Sequence, residues 1–423
     1  MVLLFTATRK KLPTMQTFED LYLRVMQSSL TKQTDSVLDA LGYDPYHLEC
    51  VFNPQSKPER WKTHNPYCRE SGGSFAECFF NHLKLDGDGK YAPYLPKEKC
   101  QECLGEESMK KLIASKDVMA TLSAIHDGNR PVYACIAPAF LSQFDDIGDA
   151  QLRSAFKQLG FQGMVEVSLF ADILTLKEAL EFDRRIVTES DYMLTSCCCP
   201  TWISMIRKAH PQLLEHIPKS VSPMVATGRI IKHLVPNAIT IFVGPCLAKK
   251  VEAREEDIKD AIDIVLTFRE VKDIMETAKI NPEFLKKDIR EHSSAAGRIY
   301  AINQGVSEAV QMTLERLRPD KTIKVKAIHA DGVLECRKLI EDLEKGLVKA
   351  NFLEGMGCQG GCVGGPRVLI DPSSAREKVR AYAKSARYAT PLDNPYVIEM
   401  LAHLDLHSVE ELLDDQKIFM RYF

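Results

Sequence analysis

The chain has 423 residues, 45% of them hydrophobic and 27% charged, which is enough apolar material for two or three domains with real cores. Its 55 basic and 58 acidic side chains leave a formal charge of −3, so nothing electrostatic points to nucleic acid or an anionic membrane surface as a partner. No apolar run approaches the ~20 residues of a membrane helix. The opening Met-Val-Leu-Leu-Phe followed by basic residues does not read as a secretory signal, so a cytoplasmic protein without membrane insertion is expected.

Residues 1–128 read as a polar, loop-rich N-terminal domain with helical patterns over 17–26 and 110–126. Of the chain's 13 cysteines, this stretch carries Cys50, Cys68, Cys78, Cys100 and Cys103. In a reducing compartment, cysteines in such number suit metal or redox chemistry better than disulfides. Cys100 and Cys103 form a C-x2-C pair. Cys68 and Cys78 are its nearest companions, with Cys50 and His64 in reserve. Either a structural zinc or a [4Fe-4S] cluster fits that set. No C-x2-C-x2-C-x3-C-P run of the ferredoxin type is present.

From residue 129 the pattern becomes short apolar runs followed by amphipathic helices, the sign of parallel α/β units. Strands are predicted over 132–136, 192–194, 239–243, 264–266 and 325–328, and helices over 151–159, 202–208 and 334–345. Thr267-Phe268-Arg269-Glu270 reads as a capping box that starts a helix. Residues 372–423 read as a helical C-terminal wrap. Cys135 and Cys336 sit in apolar or amphipathic stretches and read as small buried hydrophobes.

Three of these units place cysteine just after a strand, the third after the further run Asn351-Phe352-Leu353. They are Thr195-Ser196-Cys197-Cys198-Cys199-Pro200, Gly244-Pro245-Cys246, and Glu354-Gly355-Met356-Gly357-Cys358 running on to Cys362. Ligand sites of open parallel sheets lie beyond the carboxyl ends of the strands, so these loops should converge. Four thiolates from dispersed loops suit a [4Fe-4S] cluster. Gly357, Gly360, Gly361, Gly364 and Gly365 would permit close backbone approach, and Lys249 and Lys250 follow Cys246 closely enough to offset negative charge.

The segments T-S-C-C-C-P-T-W, G-P-C-L-A-K-K-V-E and E-G-M-G-C-Q-G-G-C-V-G-G-P resemble, in order, the three signature motifs of [FeFe]-hydrogenases. The resemblance covers about residues 130–410. It takes in Ile136-Ala137-Pro138-Ala139, Ala171-Asp172, Thr267-Phe268-Arg269-Glu270 and Ala295-Ala296-Gly297. The triple cysteine is similar to a group B-like variant. The resemblance implies an α/β fold, a two-lobed H-cluster domain with parallel sheets flanked by helices, over 129–423, behind an N-terminal accessory domain. It implies an H-cluster: a [4Fe-4S] cluster on Cys199, Cys246, Cys358 and Cys362, with Cys362 bridging to a diiron subsite bearing CO, cyanide and a dithiolate.

Lys249 would hold a cyanide nitrogen, Met356 would pack near the bridging CO, and Ala137 and Pro138 would line the diiron pocket. Cys198 would pass protons, and Glu178 and Glu181 would carry them outward. Pro218 stands where relatives have a relay serine, with Ser220 a replacement hydroxyl. Gly244 and Met224 stand where relatives usually have Met and Gln, and the small Gly244 is expected to leave room for movement of the cysteine loop.

The implied activity is reversible hydrogen formation from protons and electrons, with a ferredoxin or similar electron carrier and hydrogenase maturation proteins as partners. A hydrogen sensor and an iron–sulfur assembly scaffold without a diiron site are the alternatives.

Overall fold

In the computed structural model, described residues are 26, 27, 30 and 117–423, except 142, 145, 146 and 196. The expected N-terminal metal ligands Cys68, Cys78, Cys100 and Cys103 lie outside them. A compact unit runs over Ala124–Phe423.

Two all-parallel sheets organise this unit. The first has the order β2-β1-β4-β5, with β1 Val132–Ile136, β2 Gly163–Glu166, β4 Ile239–Gly244 and β5 Ile264–Thr267. The second has the order β3-β7-β6, with β3 Met193–Leu194, β6 Ala327–Asp331 and β7 Phe352–Met356. The run Ile-Thr-Ile-Phe-Val-Gly of β4 is buried from its second residue onward, as expected for a parallel strand between paired neighbours.

Connecting helices cover the sheets, as parallel connections require. Helix α1 Asp117–Asp127 precedes the first strand; the others, in chain order, are α2 Asp149–Leu159, α3 Val167–Arg185, α4 Pro200–Ala209, α5 Pro223–Leu234, α6 Ala248–Glu252, α7 Phe268–Thr277, α8 Ala295–Arg298, α9 Gly305–Leu317, α10 Val333–Glu344, α11 Pro372–Lys384 and α12 Pro395–His403. The capping box expected at Thr267 forms: the Glu270 amide donates to Thr267 Oγ1 at 3.2 Å, and the Thr267 amide donates to Glu270 Oε2 at 2.6 Å. The C-terminal segment holds α11 and α12, each opened by a side-chain cap and a proline.

Two strands depart from expectation: β2 has no counterpart among the predicted runs, and β6 is displaced. The predicted strand 325–328 begins instead at Ala327 and runs to Asp331. Asn351 explains the later start. Its Oδ1 accepts from the Lys326 amide at 2.7 Å and its Nδ2 donates to the Lys324 carbonyl at 2.9 Å, so its side chain takes two groups of the incoming strand, while the Lys326 carbonyl still accepts from the Asn351 and Phe352 amides at 3.1 and 3.3 Å.

Helix α3 is the central strut, buried without a break from Val167 to Phe182 and packed on α5, α8 and α9. Its far end meets β7, where Phe182 and Phe352 stack edge to face at 5.9 Å. Asp172 in α3 accepts from the Ser294 amide at 2.7 Å, the Ser294 hydroxyl at 2.5 Å and Asn394 Nδ2 at 3.1 Å. Gly297 makes this approach possible, because a Cβ there would stand 2.1 Å from the Ser168 carbonyl oxygen and 2.6 Å from Asp172 Oδ1. The Ala171-Asp172 and Ala295-Ala296-Gly297 segments are therefore two halves of one contact.

Burial raises the Asp172 carboxyl to about 6, although its three donors hold it down. A raised carboxyl binds its proton more tightly folded than unfolded, so its contribution is present at low pH and is lost as pH rises through about 6. Asp172→Ala should cost on the order of 3 kcal/mol near pH 5, because buried donors lose their acceptor, and should flatten the stability slope between about pH 4 and 6. Denaturant unfolding across that range checks both.

Candidate metal centre

The cysteines stand where the strands of both sheets end. β3 leads through Thr195 to Cys197–Cys199, β4 to Pro245 and Cys246, and β7 to Gly357 and Cys358. The loop after β7 touches both of the others. The Gly357 amide donates to Cys199 Sγ at 3.3 Å, and the Arg367 amide donates to the Pro245 carbonyl at 3.1 Å. The glycines let it do so. A Cβ on Gly357 would lie 2.7 Å from the Thr201 side chain, one on Gly365 2.9 Å from Pro245, and one on Gly355 2.3 Å from the Trp202 ring. Trp202 is itself fixed, its indole N–H donating to the Thr195 carbonyl at 2.9 Å.

Cys199, Cys246, Cys358 and Cys362 keep some accessible surface while protein crowds them on most sides. Burial pushes the Cys358 thiol up to about 11, and nearby Cys246 and Cys199 push it further in the same direction. Burial likewise raises Cys362, with Cys246, Cys199 and Cys358 adding to the effect, and it raises Cys246 against the opposing charge of Lys249. The sequence-predicted ligands are thus brought within each other's electrostatic reach. Such thiols cannot all ionise without cationic compensation.

Among the described residues, no group of three or more His, Cys, Asp or Glu is gathered tightly enough to hold a single metal ion. A [4Fe-4S] cluster makes a different demand, because its cysteines surround a multi-iron body rather than one ion.

Lys249 supplies a second test of fit. It is 7% exposed, and its Nζ lies 2.6 Å from Glu252 Oε2. The approach is misaligned, and neither atom has a directed hydrogen bond. Burial opposes its charge, but Glu252, Cys246 and Cys198 outweigh burial and raise its pKa. A buried ammonium with donors left over beside Cys198, Cys246 and Cys362 suits an anionic group at this place. Lys250 points elsewhere, to the Val265 carbonyl at 2.7 Å and Glu270 at 3.2 Å.

Met356 ends β7 and is 1% exposed; Ala137 follows β1 and Pro138 opens a short 3-10 helix. Gly244 does not leave the expected room. A Cβ there would meet the Phe242 ring at 2.7 Å and Ala137 Cβ at 3.1 Å, so that ring already occupies the space.

Cys198, Cys197, Glu178, Ser220 and Tyr300 line one small pocket with about 10 Å³ of water-accessible space, enough for about a single water. Burial drives the Cys198 thiol well above its ordinary range, Cys362 and Cys199 add to that, and Lys249 opposes it. Glu178 accepts from the Thr195 hydroxyl. Glu181 sits in an ion cluster, 2.7 Å from Arg185, 3.2 Å from Arg184 and 3.5 Å from Lys177. Burial would raise Glu181, but Lys177, Arg185 and Arg184 outweigh it and hold its carboxyl below the usual range. Cys197 donates to the Pro218 carbonyl at 3.4 Å and joins the apolar cluster that includes Trp202, Ile203 and Leu353.

Three participants were not singled out from sequence: Glu252 beside Lys249, Phe242 over Gly244, and Lys177 between Ser220 and Glu181. Cys336, read as a buried hydrophobe, is that and more, since its thiol also donates to the Met356 carbonyl at 3.4 Å.

The profile of the family described as "Iron only hydrogenase large subunit, C-terminal domain" matches residues 130–366. Iron hydrogenase 1 of Clostridium pasteurianum is 27% identical over 297 residues, 59% of this chain and 51% of that protein, so the chain spans about half of that relative's length. Cytosolic iron-sulfur assembly component 3 of Pongo abelii is 24% identical over 309 residues, 60% of this chain and 64% of that protein. A solved [FeFe]-hydrogenase superposes with a TM-score of 0.61 at 20% identity, over 73% of this chain and 98% of that one, a likeness of fold.

The turn that closes the cysteine loop combines close approach with a left-handed backbone. Gly361 has φ +91°, and a Cβ there would stand 2.6 Å from the Asn303 amide nitrogen and 2.9 Å from the Ala301 carbonyl oxygen. Gly361→Ala should cost about 2–4 kcal/mol of stability. Gly346→Ala, at φ +70° with nothing within 4 Å, should cost about 1 kcal/mol. Thermal unfolding of the two variants distinguishes the close approach from the backbone preference.

Proposed function

The chain belongs to the iron-only hydrogenase family, through the C-terminal domain that characterises its large chain, and from that premise we propose that it is an [FeFe]-hydrogenase interconverting protons and electrons with hydrogen. The observation that carries the reading is the meeting of three cysteine loops beside a buried lysine with unused donors. When bound, an H-cluster supplies the place where electrons and protons combine.

Cys199, Cys246, Cys358 and Cys362 would hold the [4Fe-4S] part, with Cys362 shared with the diiron subsite. Lys249 would direct its spare N–H groups at a cyanide nitrogen, a charge-assisted bond in a dry setting. Met356, Ala137 and Pro138 would wall the subsite and exclude water. Cys198 would hold and release a proton at Sγ, and Glu178, lining the same pocket, would exchange it through a water. Glu181 would stand at the outer end, where Arg184 and Arg185 reach toward solvent. Electrons would come from a ferredoxin-like carrier, and maturation proteins would install the diiron subsite, in the cytoplasm. Among the described residues, no helix is long and apolar enough to cross a membrane.

A second reading follows from the match to a cytosolic iron–sulfur assembly component: a scaffold that carries iron–sulfur without a diiron subsite. Infrared spectra of the chain after maturation separate the two. CO and cyanide bands together with hydrogen output support the hydrogenase, and competently matured protein without those bands is the scaffold.

Two sets of substitutions test the assignments. Lys249→Ala should retain iron–sulfur absorbance and lose the cyanide bands; a variant with wild-type bands would remove Lys249 from this role. Cys198→Ala should keep the infrared bands while turnover falls by about 100-fold or more. Cys197→Ser should keep turnover, because a hydroxyl also donates to the Pro218 carbonyl. The reverse pattern would shift the register of the three cysteines by one.

A further inference from the structure

Lys177 lies on α3 directly before Glu178, and its side chain is fully buried. A lysine is rarely left so deep without a reason, since burial works against its charge. Its Nζ donates to Ser220 Oγ at 2.8 Å and reaches the Lys219 carbonyl at 3.5 Å and Glu181 Oε1 at 3.5 Å. The ionisable groups facing it are Glu178 and Glu181 from its own helix and Cys197 from the loop after β3; the 219–220 segment adds the hydroxyl and carbonyl.

The direction of the Ser220 bond is informative. Lys177 has donors only, so Ser220 Oγ accepts and its own O–H is free to turn into the pocket that it lines with Glu178 and Cys198. Glu178 and Ser220 therefore share the pocket's one-water space, and Lys177 stands between that space and Glu181. Pro218 carries no side-chain hydroxyl with which to make the same link.

We propose that Lys177 is a proton-carrying link between Ser220 and Glu181, joining the inner pocket to the outer carboxylate. The inference rests on the hydrogenase reading and on the relay roles of Glu178 and Glu181. Outward transfer begins when an N–H bond of the ammonium breaks and an O–H bond forms on the Glu181 carboxylate. The neutral amine then takes the Ser220 hydroxyl proton on its lone pair, Ser220 takes one from the pocket water, and the water is restored by the proton that Glu178, on the same pocket, delivers. Lys177, Ser220 and the water end as they began, and one proton has moved from Glu178 to Glu181. Desolvation lowers the Lys177 pKa despite Glu181, Cys197 and Glu178, which makes release of a proton less costly than from an exposed lysine. Arg184 and Arg185 keep Glu181 an anion at rest, so it holds the incoming proton only in passing.

Lys177→Met and Lys177→Arg, matured alongside wild type, test this. Methionine keeps the volume without a proton; arginine keeps the charge but does not give it up in proteins. Both should lower turnover by roughly 100-fold, raise the solvent deuterium isotope effect on turnover, and leave the CO and cyanide bands in place. Ser220→Ala, which leaves the buried charge unaltered, should show the same isotope signature and guards against a Lys177 variant that fails to fold. Wild-type turnover in Lys177→Met overturns the proposal. Full rescue by Lys177→Arg also overturns it, because a fixed positioning charge would then suffice. Matured wild-type protein without CO and cyanide bands or hydrogen output would instead defeat the hydrogenase reading, and the relay with it.

Discussion

Four crowded thiols that cannot all be anions in one another's company set the terms for the rest of this protein. The thiolate forms of Cys246, Cys358 and Cys362 are opposed by burial and by neighbouring cysteines as well. As neutral thiols they can rest side by side, but they can serve as thiolate ligands only if something cationic offsets the repulsion. Here part of that charge is built in as Lys249, and the remainder is what an iron–sulfur cluster brings. The two parallel sheets follow from the same demand. Parallel strands all end on one side, so dispersed stretches of sequence deliver their cysteines to one place without long loops. The glycines then remove the side chains that would hold those loops apart, with Trp202, Thr201 and Pro245 filling the space against them.

The strand-then-cysteine units were legible because they are local. A β-branched run followed by Gly-Pro-Cys or Gly-Met-Gly-Cys states its own meaning, and β1 and β4 fall where the apolar runs place them. The Ala171-Asp172 and Ala295-Gly297 segments were also visible, but not that they touch, because their contact spans more than a hundred residues. The same limit hid Asn351, whose amide delays the start of β6 from a position 25 and 27 residues away. In the sequence Phe242 is one more apolar strand residue. Its ring fills the space beside Gly244, and no one-dimensional pattern records which way a ring turns.

Glu354 shows how tightly the cysteine loop is tied to its support. The motif's glutamate is fully buried and accepts from the Gln304 amide at 3.0 Å and the Ser307 amide at 2.9 Å, capping α9 from the side of β7. The Asn303 amide donates to the Gly360 carbonyl at 3.0 Å, so one helix start anchors both the strand and the turn beyond it. Burial raises the Glu354 carboxyl to about 7, while those amide donors pull the other way. Its role in the motif is thus mechanical. It fixes β7 so that Met356, Cys358 and Cys362 emerge in a set position.

The contrast between the two buried lysines explains how one small region can both keep a charge and move one. Burial opposes the charge of both Lys249 and Lys177, yet their pKa values move in opposite directions. Lys249 has Glu252 at 2.6 Å together with Cys246 and Cys198, and that company overrides burial, so its charge is permanent. Lys177 has Glu181 no nearer than 3.5 Å, and Glu181 is also claimed by Arg184 and Arg185. Its best contact is with the neutral Ser220 hydroxyl, so burial prevails. The difference lies in how the carboxylates are shared. A lysine with a carboxylate at 2.6 Å is a fixed counter-charge, whereas one 3.5 Å from a carboxylate that two arginines also hold keeps its proton less firmly. Placing the first beside the cysteines and the second on the way out separates charge compensation from proton movement within a single fold.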